Sequence, residues 1–159
     1  MLFTSLGKAT PPCAMRLNLA TDYALRVLLH LTQTGEAWTS ALQIAEVHGA
    51  SGHHVRAVCK TLTGQGWIEA RRGAGGGVRL AIEPASLSVG QVVRELESFE
   101  LVECMSAEGA SCRLDPSCRL KAALRKATKA FLAVLDEVTL AELSRDRALR
   151  RLVIASRPE

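Results

Sequence analysis

Ser40–Leu80 reads SALQIAEVHGASGHHVRAVCKTLTGQGWIEARRGAGGGVRL. Ser40 is a residue type that accepts a backbone N–H at a helix start, and Leu42, Ile44, Ala45 and Val47 follow as apolar positions. Gly49 closes that helix. Ser51 opens the next, with Val55, Val58 and Leu62 at helical spacing. Helix, short glycine turn, helix is a helix-turn-helix, and Ser51–Leu62 takes the position of the recognition helix. Its outward residues are His53, His54, Arg56, Ala57 and Lys60. Trp67–Ala70 then reads as a strand, Arg71–Gly77 as a tight turn with four glycines, and Val78–Ile82 as the return strand. A basic, glycine-rich hairpin directly after a recognition helix is a wing. Arg71, Arg72 and Arg79 flank it, and cations there suit phosphate or minor-groove contact. The candidate DNA-contacting residues are therefore Ser51, His53, His54, Arg56, Lys60, Arg72, Gly75, Gly76 and Arg79.

Upstream, Thr21–Asp22 predicts the start of a helix from Tyr23 to about Thr32, with Ala24, Leu25, Leu28, Leu29 and Leu31 on its apolar face. Residues 1–14 have no periodicity and contain Pro11–Pro12. They read as a disordered extension before Met15, and Cys13 within it reads as an incidental thiol. Downstream, Glu83–Pro84–Ala85 is a linker, and Ser88 can cap a helix from Val89 to about Glu97. A long helix runs from about Cys118 to Glu137. Leu120, Leu124, Ala127, Phe131, Val134 or Leu135, and Val138 recur along it in steps of three and four, the seam of a paired helix. Thr139 restarts a short helix, and residues 146–159 read as a basic tail. The fold class is mainly α: a winged helix-turn-helix over 15–87, then a helix, a loop and a dimerisation helix over 88–145.

Between the last two helical segments lies Cys104–Cys118, CMSAEGASCRLDPSC, with three of the chain's five cysteines. The loop is polar, and Arg113, Arg119 and Lys121 favour thiolates. Thiolates bind soft metals, and an iron–sulfur cluster takes about four ligands. Structural zinc sites prefer close cysteine pairs and four protein ligands. Here the cysteines are more widely spaced, and His30, His48, His53 and His54 all fall in the first half. Cys59, between Val58 and Lys60 on a helix, reads as a buried free thiol.

The 159 residues carry a net charge of +4, which permits a nucleic-acid partner without establishing one. Aromatics make up 4%, so the core is aliphatic. No apolar run reaches the roughly 18–20 residues of a membrane span, and no signal-peptide core is present, which predicts a cytoplasmic protein. Nothing reads as a nucleophile elbow or a phosphate-cradling loop with lysine, so no enzyme is predicted.

From Met15 to about Leu143 the chain resembles the iron–sulfur winged-helix regulators of bacteria, in particular the nitric-oxide-sensing NsrR-type repressors. MRLNLATDYALR (Met15–Arg26), RGAGGGVRL (Arg72–Leu80), VVRELESFELVEC (Val92–Cys104) and CRLKAAL (Cys118–Leu124) carry the resemblance. It implies a cluster, [4Fe–4S] favoured over [2Fe–2S], on Cys104, Cys112 and Cys118. It offers Asp22 from the other subunit as an oxygen ligand, beside its plain reading as a helix N-cap. The related cluster-assembly regulators use a histidine three residues after the third cysteine; that position here is Lys121. The resemblance further implies a homodimer on an inverted-repeat operator, with nitric oxide as the signal that lifts repression. The alternatives are a sensor of oxygen, redox state or iron supply with the same cluster, and a zinc-binding structural module. The loop between the first two cysteines is longer than the family's usual one, and Ala57 stands where a close relative would place lysine.

Overall fold

The computed structural model describes residues 16–102, 105 and 118–155. The 1–14 extension, Cys13, Cys104 and Cys112 lie outside them. Seven helices and one hairpin are described: α1 (Leu19–Thr34), α2 (Ala41–Val47), α3 (Gly52–Gly64), β1 (Ile68–Arg71), β2 (Gly77–Leu80), α4 (Val89–Leu96), α5 (Arg119–Asp136), α6 (Leu140–Leu143) and α7 (Arg147–Ala155).

α1 begins earlier than Thr21–Asp22 predicts. Asn18 is the cap, and its Oδ1 accepts the Thr21 N–H at 2.8 Å. Thr21 is fully buried and Asp22 sits inside the first turn, so neither caps the helix. Three residues in this stretch can accept a backbone N–H, and tertiary contact selects the first. Asn18 is also tied to the end of α4, through its backbone N–H to Glu97 and its Nδ2 to the Leu96 carbonyl.

α2 and α3 form the helix-turn-helix, with Ser40 capping α2 through the Gln43 N–H at 3.1 Å. Ser51 holds the cap position of α3 without a side-chain bond. The hairpin pairs Ile68 with Leu80 through to Arg71 with Gly77, antiparallel. Thr39 adds a one-residue bridge on the other side of β2: the Thr39 N–H donates to the Val78 carbonyl and the Val78 N–H to the Thr39 carbonyl. Val27, Leu28, Leu31, Ile44, Val55, Leu62 and Ile68 make the dry centre of this unit. Each full burial of such a side chain is worth about 1.5–3 kcal/mol.

α4 starts with a capping box between Ser88 and Gln91, and α6 with one between Thr139 and Glu142. The two starts are laced together by a Ser88–Thr139 bridge. The stretch read as a tail is not one over 147–155: α7 packs on α1, with Val153 buried. α1 thus touches α3, β2, α4, α6 and α7, and joins the winged unit to the helices α4, α6 and α7 after it.

Candidate nucleic-acid interface and cluster ligands

α3 keeps Val55, Val58, Cys59 and Leu62 inside, which leaves His53, His54, Arg56, Ala57 and Lys60 exposed, as the helical period predicts. Arg56 and Lys60 lie one turn apart and enter no ion pair among the described residues. His54 leans towards α1, its ring 6.2 Å from that of Tyr23, and His53 packs edge-on against it. Burial pushes the Cys59 thiol up to about 11, so it is an inert core group at neutral pH.

In the wing, Gly73 and Gly75 adopt positive φ, and the Gly76 N–H donates to the Gly73 carbonyl at 3.0 Å. A side chain at Gly76 would overlap the Arg71 carbonyl. The three basic residues differ in their freedom. Arg79 donates from Nε to Glu69 at 2.6 Å and from Nη1 to Glu36 at 3.1 Å. Arg71 donates to the Gly75 carbonyl at 2.7 Å. Arg72 is exposed and makes no ion pair among the described residues. Arg79, expected on the DNA surface, is paired with Glu69 of β1 and with Glu36 of the α1–α2 segment, whereas Arg72 has no such pair among the described residues.

Of the three cysteines expected to hold a cluster, Cys118 is described. It occupies the cap position of α5, is part-exposed and is not in a disulfide. Arg119 and Lys121 follow it in the first turn of α5. Asp22 is part-exposed and paired with Arg26 one turn on, at 2.8 Å. An exposed pair of this kind holds its partners weakly. Among the described residues, no three His, Cys, Asp or Glu side chains gather where one metal could sit. His30 and His48 instead face each other, Nδ1 to Nε2 at 3.3 Å, a pair that eighteen positions of separation hide from sequence reading. A free thiol and a weakly engaged carboxylate are the donor types an iron site takes.

The first half has the architecture of a DNA reader, and its match is specific: residues 17–146 fit the Rrf2 family, described as an iron-dependent transcriptional regulator. The chain belongs to the Rrf2 family. It is 46% identical over 145 residues to the HTH-type transcriptional regulator NsrR of Geobacillus kaustophilus, covering 90% of this chain and 99% of that one. Against the regulator of the same name from Shouchella clausii it is 41% identical over 131 residues, covering 81% and 88%. Among solved structures, IscR of T. potens superposes with a TM-score of 0.66 at 29% identity, over 82% of this chain and 86% of that one. CymR, the global cysteine regulator of B. subtilis, does so with 0.61 at 28%, over 82% and 97%. This Rrf2 protein is a winged-helix, DNA-binding transcriptional regulator, and not an enzyme. No described helix is long and apolar enough to cross a membrane.

Proposed function

We propose that this Rrf2 protein is a homodimeric repressor that holds an iron–sulfur cluster, [4Fe–4S] in preference to [2Fe–2S], and leaves its operator when nitric oxide arrives. The observation that carries this reading is Cys118, an unbridged thiol at the cap of α5. Cys104 and Cys112, outside the described residues, supply the other thiolates. The partner subunit's Asp22 supplies the oxygen. Its carboxylate is not spent on capping α1, and the exposed Arg26 pair is cheap to give up. A bound cluster offers nitric oxide an iron that four thiolates have not closed off.

The residues of the chain do the rest. Arg56 and Lys60 on α3 enter the major groove beside Ser51, His53 and His54, while Arg72 with Gly75 and Gly76 follows the minor groove. Two-fold pairing through α5 then sets two half-sites about one helical turn, or a multiple, apart. The Glu97–Asn18 tie links the end of α4, just before the cysteines, to the start of α1.

Anaerobic purification tests the cofactor. The expected product is brown, and Cys118→Ser is colourless; a colourless, zinc-loaded wild type would instead support the structural zinc module. Titration with nitric oxide on a fragment upstream of a flavohaemoglobin gene tests the signal. Release by nitric oxide is expected. Release by oxygen or by iron removal alone would favour the alternative sensor.

A further inference from the structure

Trp38 lies on the segment between α1 and α2, outside every element the DNA surface uses, and it is half-buried. Both guanidiniums at the wing's base lie over its ring, Arg71 at 4.8 Å and Arg79 at 4.6 Å from the centroid. We propose that Trp38 is a positioning residue for DNA binding, whose indole fixes Arg71 and Arg79 at the root of the wing so that Arg72 is aimed at the DNA.

The indole is itself fixed. Its neighbour Thr39 exchanges two backbone hydrogen bonds with Val78 of β2, at 3.0 and 2.9 Å. Gly77 is what lets the Thr39 backbone come so near, because a Cβ there would run into it. From this anchor two arms extend. Arg79 carries the ring's hold to β1 through Glu69, and back to the α1–α2 segment through Glu36. Arg71 carries it to the tip of the turn, where its Nη2 holds the Gly75 carbonyl. Arg72 sits between that arm's root and the turn, so its direction depends on both. Tryptophan is the aromatic with the strongest attraction for a cation over its face. A glycine-rich turn has little stiffness of its own, and the stack supplies it.

This inference rests on the reading that Arg72 touches DNA, and the experiment separates the two. Operator affinity and its dependence on salt are measured for the holoprotein on a DNA fragment that the wild type binds. Arg72→Ala is expected to weaken binding and to lower the salt slope by about one. Trp38→Leu is expected to do the same, with about a tenfold loss, and Trp38→Phe to recover to within about threefold of wild type. In the Arg72→Ala background, Trp38→Leu is expected to cost less than about twofold, since its effect runs through a contact already gone. Arg71→Met, which removes the cation but leaves the indole, gives the same pattern even if Trp38→Leu folds poorly. A lowered melting temperature with an unchanged salt slope would make the stack merely structural and overturn the proposal. So would losses that multiply with Arg72→Ala. If Arg72→Ala itself changes neither affinity nor slope, the wing reading falls, and the role of Trp38 with it.

Discussion

The Glu97 carboxylate accepts the Asn18 backbone N–H at 2.7 Å, joining the C-terminal end of α4 to the N-terminal cap of α1. Asn18 returns a second bond, from its Nδ2 to the Leu96 carbonyl at 3.0 Å, while its Oδ1 caps α1. One asparagine therefore starts the helix on which the winged unit packs and fastens it to the segment that leads to the cysteines. Asn18→Ala is expected to cost about 1–2 kcal/mol, from the cap and the tie together. For a chain of this size that lowers the melting temperature by roughly 2–8 °C. Glu97→Gln keeps an acceptor in place and is expected to cost less. Thermal unfolding of both apo variants checks the order, and an Asn18→Ala variant that melts with the wild type would refute it.

Gly90 is required by a close approach. Asp136 of α5 comes so near that a Cβ at this position would overlap its Oδ1 and lie 2.8 Å from its backbone nitrogen. Asp136 is held there by Arg94 at 2.7 Å and faces the Ser88 hydroxyl at 3.4 Å. Gly90→Ala must push α5 off α4, an overpacking strain of about 1–3 kcal/mol. Denaturant unfolding is expected to show a lower midpoint with the same slope. An unchanged or raised midpoint would mean that the helices part without cost.

These contacts mark where sequence reading succeeds. Apolar positions three and four apart placed α2, α3, α4 and α5, and Ser40, Ser88 and Thr139 marked three helix starts, because period and capping act within a few residues. The start of α1 is not legible locally, because Asn18, Thr21 and Asp22 are all capping types and Asn18 is fixed by Glu97, 79 positions away. The Thr39 bridge is one residue long and has no period. Residues 147–155 carry an apolar patch among arginines, and it is packing on α1 that buries Val153 there. Trp38 and the His30–His48 pair are likewise long-range meetings of residues with no local signature. The ion pairs of Arg79 have no local signature either, because Glu69 meets it across the hairpin and Glu36 from before α2.

The histidine pair predicts a stability that depends on pH. The His48 pKa is lowered from its ordinary value of 6.5, first by burial and then by the Arg26 guanidinium. His30, 3.3 Å away and buried, is the other titratable group against it. A lowered pKa means that the folded chain binds its proton less readily than the unfolded chain does. Stability from this site is therefore complete above 6.5 and declines as pH falls below it. Melting temperatures of wild type and His48→Gln, compared from pH 7.5 to pH 5.5, are expected to converge on the acid side. Parallel curves would show that His48 does not contribute.

The seam on α5 divides into two faces, and the division predicts the oligomer. Leu124, Phe131, Leu132 and Leu135 are half-buried, with Phe131 6.3 Å from the Phe99 ring; α4 packs along this helix. Leu120, Ala123, Ala127, Ala130 and Val134 are exposed, the two ends at 62% and 63%. Those five recur in steps of three, four, three and four, a heptad stripe whose alanines let a second helix come close. The stripe reaches to within two residues of Cys118, so pairing through it would bring a second subunit close to that cysteine. Ala127→Asp places a charge at the middle of the stripe and is expected to yield a monomer in sedimentation experiments. Because Ala127 is exposed within its own chain, the monomer should lose only about 0.5 kcal/mol of helix propensity. Ala122→Asp, exposed on the same helix but off the stripe, is expected to remain a dimer. If Ala127→Asp sediments with the wild type across the same concentration range, the two-fold axis does not run through this stripe, and the partner subunit's Asp22 loses its route to the cysteines.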